Sequence, residues 1–511
     1  MSNIPDNTPI LIGVGQTVSH WCAEDPITDA PSPISMAAIA AKRAIDDAAA
    51  AKSLAKSIDT LALVRTMADS IPSMQYPLGA PKNAPGALAY QLNIQPELLI
   101  YADVGGDTPQ SLVSEMAERI HNGTTKTALI AGGEATSAMR VAGRANITLD
   151  WSMKSIGQFE DRGFGPALLS DYEMRHGLAL PTQVYALFEE AWRHKNGLTR
   201  SQHKAKMAEL FAPFSKISAD NPYAQFGEVR SVDFLQTRSQ ENYDISSPYL
   251  KWHVAQDAVN QGAAVLMTSV GEAKKLGVSE NKWIYLHSNA EVRDSFITER
   301  QNLSSSHAMK LVLDKVLSDS GLSIGEIAYM DLYSCFPCAV FFAAEALGIN
   351  WQGRQLAVTG GLPFFGAPGN NYSLHAIATL AELLRNDRSQ YGLILANGGY
   401  LSKESAGIYS AKPKYDWVPT SSEGLQTTID SNPKPPIDNF PENGEVVAHT
   451  ISYYRGNPLS GFAMCETEKG HCLAKIMPKD SEQLIHFANT ENFGAVTIST
   501  KNNVNYLSLP Y

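Results

Sequence analysis

The segments SLVSEMAERIHNGTTKTALIAGGEATS (residues 111–137) and SLHAIATLAELLRNDRSQYGLILANGGYLS (residues 373–402) decide the fold of this 511-residue chain. Each begins with Ser-Leu, continues with apolar residues at helical spacing, and passes into an apolar run containing Gly-Gly. That order predicts an amphipathic helix followed by a buried strand. Because the two copies lie far apart in the chain, they favour two related α/β halves over a short-period repeat array.

The first of these helices has a clear start signal. Thr108 suits the capping position, and Pro109 suits the first helical position, where no backbone N–H is needed. Leu112, Met116 and Ile120 then fall on one helical face. We therefore expect a helix that begins at this point and buries one side.

Changes in composition along the chain predict its domains. Residues 412–443 contain six prolines and little periodicity, which is typical of a linker. The residues after 443 alternate apolar and polar side chains, which is typical of strands, with a hairpin turn at Lys469-Gly470. We expect a first half in residues 1–142 and 247–281, an inserted loop domain in residues 143–246, a second half in residues 282–411, a linker in residues 412–443 and a small β-barrel-like domain in residues 444–511.

Overall composition restricts the class of protein. A net charge of −11 argues against a general role on nucleic acid or on an anionic membrane surface. The N-terminal residues lack the basic and apolar regions of a secretion signal, and five cysteines are too few for a disulfide scaffold of this size. We expect a cytoplasmic protein that neither binds nucleic acid nor crosses a membrane.

Eight stretches of the sequence resemble motifs of the thiolase superfamily and occur in the same order as in that family. The resemblance covers about residues 8–411 and is strongest to the sterol-carrier-protein-type branch, in particular its thiolase-like proteins of type 1, which carry an added C-terminal β-domain. The stretches are YADVGGDTPQSL, ALIAGGEATSAM, YALFEEAWRHKNG, FAPFSKISADNPYA, DAVNQGAAVLM, DLYSCFPCAV, GGLPFFGAPGNNYS and LANGGYLSKESAGIYS.

This resemblance implies an α/β thiolase fold in which two related halves form five layers, αβαβα, followed by a small all-β domain. It implies an active site where helix N-termini from the two halves converge, a setting suited to an oxyanion. It also implies a role in lipid metabolism, an acyl-CoA ligand with coenzyme A as part of the substrate, no permanently bound cofactor, and a monomer or homodimer.

The resemblance implies that two thiolase catalytic positions have lost their functional groups. The nucleophilic cysteine of the family aligns with Gly106, or alternatively with Gly105, so the usual thiolate cannot form an acyl-enzyme there. The plain alternative for these glycines is a tight turn before a capped helix. The G-H-P motif of the family reads Gly366-Ala367-Pro368, so its histidine base is missing as well.

Two further motifs are altered. The cysteine motif of the second half reads ANGG (396–399), in which Asn397 is either a hydrogen-bond donor or a turn residue, and Gly398 keeps an N–H for a thioester oxygen. The N-E-A-F or H-D-C-F motif reads YSCF (333–336). Tyr333 replaces the residue that holds the oxyanion-hole water and can donate to a thioester or act as a general acid. Cys335 is a catalytic candidate or a buried small residue.

Together these motifs define the expected site. The catalytic candidates are Tyr333, Asn397 and Cys335, and the resemblance implies coenzyme A contacts at Gly105, Gly106, His253, Gly366, Ala367 and Gly398. Cys335 and Cys338 form a C-x-x-C pair, but a zinc site would need a second ligand pair such as Cys465 with His471 or Cys472. We expect no metal site.

Three functions follow from these observations. The first is an acyl-CoA acyltransferase or C–C lyase that works without a covalent cysteine intermediate. The second is a non-catalytic coenzyme A-binding or scaffold protein. The third assigns the activity to the C-terminal β-domain, as a binder of a partner or an oligonucleotide; it ranks last because that segment is not visibly basic.

Overall fold

A computed structural model describes residues 4–71, 78–476 and 481–508. The strands are β1 (Pro9–Val18), β2 (Thr60–Leu63), β3 (Leu98–Tyr101), β4 (Thr127–Ala135), β5 (Glu160–Asp161), β6 (Asp244–Ser246), β7 (Tyr249–Leu250), β8 (Asn260–Ser269), β9 (Ile284–Arg293), β10 (Ile327–Leu332), β11 (Tyr391–Gly398), β12 (Lys403–Ser410), β13 (Asn443–Tyr454), β14 (Asn457–Thr467), β15 (Gly470–Ile476), β16 (Ala495–Lys501) and β17 (Val504–Ser508).

Helices alternate with these strands. They are α1 (Pro33–Asp47), α2 (Ala84–Leu92), α3 (Thr108–His121), α4 (Thr136–Ala145), α5 (Asp171–Arg175), α6 (Pro181–Lys195), α7 (Arg200–Asp220), α8 (Val232–Gln236), α9 (Val270–Leu276), α10 (His307–Ser320), α11 (Pro337–Ala346), α12 (Tyr372–Asn386), α13 (Glu423–Asp430) and α14 (Ser481–Asn489). Within the described ranges, none of them has both the length and the hydropathy needed to span a bilayer.

The two halves share one mixed sheet and enclose a pair of central helices. The strand order is β10-β11-β12-β9-β1-β8-β4-β2-β3-β5, and the halves join where β1 pairs with β9 at Ile10–Tyr285 and Leu11–Ile284. The central helices α3 and α12 share one apolar core between the sheet faces, while α1 and α2 cover the outer face of the first half. Helices α10 and α11 pack on the second half, which completes the αβαβα layers and confirms the expected fold.

The two similar segments, residues 111–137 and 373–402, form equivalent elements in the two halves. The first forms α3 and β4, the second forms α12 and β11, and each strand is buried along nearly its whole length. The predicted cap at Thr108 was wrong by one residue. Asp107 holds the capping position, but its side chain makes no capping hydrogen bond because it lies beside Lys403 instead.

The C-terminal strands form a closed barrel. They pair in the order β14-β15-β17-β16-β13, and β13 also pairs with β14 and closes the ring. Strands β6 and β7 continue this sheet from β13, although they come from the middle of the chain. The barrel therefore shares hydrogen bonds with the region that the sequence assigned to the inserted loop domain and first half, and the domain boundaries stay predictions.

The expected linker is partly helical. Helix α13 lies within it, and Ile429 is 2 % exposed because it packs on the second half. Gln426 accepts a hydrogen bond from the Arg293 amide and donates one to the Arg293 carbonyl, both at 3.0 Å. These contacts attach the segment to β9, and its assignment as a linker stays a prediction.

Candidate active site

Two glycines, one in each half, lie directly against residues of the other half. Gly106 lies just before α3, and a Cβ atom on it would overlap the phenolic oxygen of Tyr333 and lie 2.5 Å from the carbonyl oxygen of Asn397. A Cβ atom on Gly398, at the end of β11, would overlap the carboxylate of Asp107. The structure thus brings Gly106, Tyr333, Asn397 and Gly398 together, and their predicted roles stay predictions.

Tyr333 is fixed by its backbone and by an aromatic neighbour. Its amide donates to the Leu395 carbonyl at 3.1 Å, and its ring meets Tyr372 edge-on with the centroids 5.4 Å apart. Burial, with the nearby Cys335, Asp107 and Glu404, raises the pKa of Tyr333 well above its ordinary value. The phenol is therefore neutral at physiological pH and can donate a hydrogen bond.

Asn397 and Cys335 lie beside this phenol. The Asn397 amide donates to the hydroxyl of Tyr185 at 2.9 Å and lies 3.8 Å from the Cys335 sulfur. Burial raises the pKa of Cys335 to about 12, so its thiol is protonated and a poor nucleophile. Among the described residues, the side-chain oxygen of Asn397 has no hydrogen-bond partner.

Three ionisable residues complete the site, and the sequence motifs did not identify them. The Lys403 ammonium donates to Asp103 at 3.0 Å and lies 3.4 Å from the Asp107 carboxylate. Burial raises the pKa of Asp107 to about 6, although the charge of Lys403 opposes that shift. Glu404 is paired in register with Asn397 and is only 1 % exposed. Its pKa is raised well above the ordinary value by burial.

A signal for these residues existed in the sequence. Lys403 and Glu404 begin a strand whose next residues are small or apolar, as in SAGIYS (405–410). Charged side chains rarely enter a buried strand unless they pair or act in a site. That strand is buried at every position.

No family model matches the chain. It is similar to the crystal structure of a monomeric SCP2-thiolase like protein type 1 from Mycobacterium smegmatis, at 33% identity and a TM-score of 0.84, covering 99% of this chain and 100% of that one. The chain belongs to the SCP2-thiolase-like type 1 family.

Other matches are more distant. An acetyl-CoA acetyltransferase from Syntrophomonas wolfei shares the fold, with a TM-score of 0.57 and 14% identity, covering 80% of this chain and 100% of that one. A probable acetyl-CoA acetyltransferase of Dictyostelium discoideum is 27% identical over 143 residues, which are 28% of this chain. That match spans 32% of the length of the curated relative.

In this type 1 chain, the loop at Gly366 and Ala367, where the family has its G-H-P motif, contacts residues of the first half. Gly366 has a φ of +118°, and a Cβ atom on it would lie 2.5 Å from the side-chain oxygen of Gln261. The amide of Ala367 donates to the Gln256 carbonyl at 2.9 Å. Neither residue supplies a base, and their predicted contact with coenzyme A stays a prediction.

The same loop leads into contacts with the first half. The side-chain oxygen of Asn370 accepts a hydrogen bond from the Gly105 amide at 3.2 Å. The Ser373 hydroxyl donates to the Gly106 carbonyl at 2.8 Å. Both glycines before α3 are therefore held from the start of α12.

His253 lies in a different environment. It is fully buried, accepts a hydrogen bond from the Leu250 amide at 3.3 Å, and has a pKa lowered to about 3, by burial first and by the charges of Lys204 and His203. Its predicted contact with coenzyme A stays a prediction, and a buried ring would have to become accessible for it. In the described parts of the chain, no group of three or more His, Cys, Asp or Glu residues is arranged to hold a metal ion.

Proposed function

We propose that the protein binds acyl-CoA thioesters between its two halves and handles them without a covalent acyl-enzyme. The observation that carries this proposal is the overlap between a Cβ atom at Gly106 and the phenolic oxygen of Tyr333. A cysteine nucleophile at this position and the Tyr333 ring exclude each other. The loss of the thiolate is therefore matched by a protic group that fills its place.

The proposed role of Tyr333 is to polarise the thioester carbonyl. A neutral phenol at the N-terminal end of α3 can donate a hydrogen bond to an oxygen that gains negative charge. The Gly398 N–H and the dipole of α3 supply further positive potential. In direct transfer, the acceptor would bond to the acyl carbon while the bond to the coenzyme A sulfur breaks, and the thiol would leave with the proton of the acceptor. In C–C cleavage, the electron pair of the broken bond would remain on the thioester as an enolate, which the same hydrogen bond would stabilise.

A second function, a non-catalytic coenzyme A-binding or scaffold protein, is favoured by a specific observation. The Asn397 amide already donates to Tyr185, and Cys335 is buried as a neutral thiol. Loss of a nucleophile, a base and an acid costs many powers of ten in rate when they work as a unit. In this case the protein binds acyl-CoA but does not turn it over.

Calorimetric titration with acetyl-CoA, together with an assay of thioester consumption, tests both the catalytic and the scaffold function. The proposal predicts saturable binding and turnover that falls by about 10²-fold or more in Tyr333→Phe, since one oxyanion donor contributes on this scale. The matched control is Tyr409→Phe, another buried phenol, which donates to Gln110 at 2.6 Å. Binding without turnover would favour the scaffold function, and absence of binding would contradict both functions.

A further inference from the structure

A cavity of about 750 Å³ opens beside the candidate site. Its wall combines α3, β9, β12 and the segment around α13. Asp107, Lys403 and Glu404 form its buried end, next to Gly398. A volume of this size is typical of small-molecule sites.

The cations of this wall are already paired. Arg162 forms ion pairs with Glu115 at 2.6 Å and Glu160 at 2.8 Å. Lys403 lies 3.0 Å from the Asp103 carboxylate, and Arg293 lies 3.9 Å from the same group. These ion pairs reduce the positive charge that the wall offers to an anionic ligand.

Four carboxylates of the wall have no basic partner within 4.0 Å among the described residues. They are Glu118, Glu291, Glu404 and Glu423, and they come from α3, β9, β12 and α13 respectively. Three of them, Glu118, Glu291 and Glu423, are exposed to solvent. Such a wall attracts cations.

Glu404 differs from the other three because it is buried. Neither of its carboxylate oxygens has a hydrogen-bond partner among the described residues. An unpaired carboxyl at 1 % exposure is costly in free energy, and burial accordingly raises its pKa. A bound ammonium group would satisfy this carboxyl and remove that cost.

We propose that this cavity binds a small organic amine with more than one ammonium group, a diamine or polyamine, whose inner ammonium pairs with Glu404. Carboxylates spread over four elements suit several separated positive charges. They do not suit one metal ion, since no metal-holding group of ligands is found in the described chain. The proposed cavity adjoins the candidate acyl-CoA site at Asp107, Lys403 and Glu404, but the two proposals are tested separately, because amine binding is measured without any thioester.

Calorimetric titration of the full-length protein with spermidine and with putrescine, at about 0.15 M salt, tests the proposal. We expect saturable binding of one amine per chain, and no binding of the uncharged diol that matches putrescine in chain length. Glu404→Gln and Glu291→Gln should each weaken spermidine binding about tenfold or more. The matched control is Glu445→Gln, an exposed carboxylate on β13 outside the cavity, which should leave the affinity unchanged.

Three results would overturn the proposal. One is the absence of saturable binding of both amines. Another is equal affinity for spermidine in Glu404→Gln, Glu291→Gln and the control Glu445→Gln. That pattern would indicate general attraction of the amine to a negative surface. The third is tighter binding of Mg²⁺ than of spermidine with the same sensitivity to these variants, which would assign the cavity to a metal ion.

Discussion

Gly106 and Gly398 leave space that Tyr333 and Asp107 fill from other elements. Each glycine therefore matches one particular side chain, and a change at either member of a pair affects the other. We therefore expect that a single substitution at Gly106 does not restore a nucleophile. The most informative substitutions are therefore at these glycines, where the sequence motifs show only that the catalytic side chain of the family is missing.

Gly106→Ala should destabilise the protein. Its Cβ atom would overlap the Tyr333 oxygen and approach the Asn397 carbonyl, and such overpacking costs about 1–3 kcal/mol. Chemical denaturation measures this cost as a fall in the free energy of unfolding. The control is Gly143→Ala on α4, where no atom lies within 4 Å of the new Cβ atom, and we expect no loss or a gain.

The same substitution can be tested for coupling to Tyr333. In a Tyr333→Ala background, Gly106→Ala should cost less, because one of its two clashes is gone. Equal costs in both backgrounds would show that the two residues do not contact each other.

Asp107→Asn should stabilise the protein above neutral pH. The carboxyl pKa is raised to about 6, so the folded chain keeps a proton that the unfolded chain releases between about pH 4 and pH 6. The wild-type free energy of unfolding therefore falls as pH rises through that window. The variant escapes this loss and gains about 2–3 kcal/mol at pH 7.5.

The measurement is denaturation of both proteins at pH 4, 5, 6 and 7.5 (about 0.15 M salt). Their difference should be small at the lowest pH and level off above pH 6. Subtracting the wild type removes the contribution of other buried carboxyls with raised pKa values, such as Asp331 and Glu134. A gain that does not vary with pH would assign the effect to packing.

At the scale of elements, periodicity predicted α3, β4, α12 and β11, because each buries a regular apolar face. The charged residues of the site escaped prediction because their role depends on strand register. Glu404 faces Asn397 only because β12 pairs antiparallel to β11. Helix α13 escaped for a similar reason, since its burial depends on contacts with distant parts of the chain.

Helix α13 supplies a test of the expected linker. Ile429→Ser should loosen the segment around α13 and increase its cleavage by a protease, because the buried side chain loses about 2–4 kcal/mol of packing. The matched control is Thr428→Ala, at an exposed position of the same helix. Fast cleavage of the wild type within Glu423–Asp430 would show that the segment behaves as a free linker.

On the scale of the whole molecule, the barrel is joined to the inserted helices by buried charges. Glu190 on α6 is fully buried and pairs with Arg193 and Arg200, each at 2.8 Å. Arg193 also donates to Glu491, which follows α14. Removing the barrel would leave this network partly unpaired and expose the face of α6 that packs on β13.

Deletion of residues 444–511 should therefore destabilise the remaining chain. We expect a lower soluble yield and a Tm lower by roughly 10 °C, as measured by calorimetry. A truncated protein that is soluble with an unchanged Tm would mean that the barrel is an independent module. That result would revive the hypothesis that the barrel carries its own binding activity.

The fold and the family could be predicted from the sequence because they depend on many motifs in a fixed order. The motifs also predicted which residues meet at the site, namely Gly106, Tyr333, Asn397 and Gly398. The motifs could not predict which other side chains lie next to these four residues. That depends on the positions of Asp107, Lys403 and Glu404, which only the assembled halves define.

Intact-protein mass spectrometry after incubation with acetyl-CoA tests the central claim most directly. The proposed site has no thiolate, since Gly106 lacks a side chain and burial keeps the Cys335 thiol protonated. We predict an unchanged mass, with acetyl-CoA binding detected in parallel by titration. A chain that gains one acetyl group, on a cysteine that becomes unreactive to alkylation, would contradict the account.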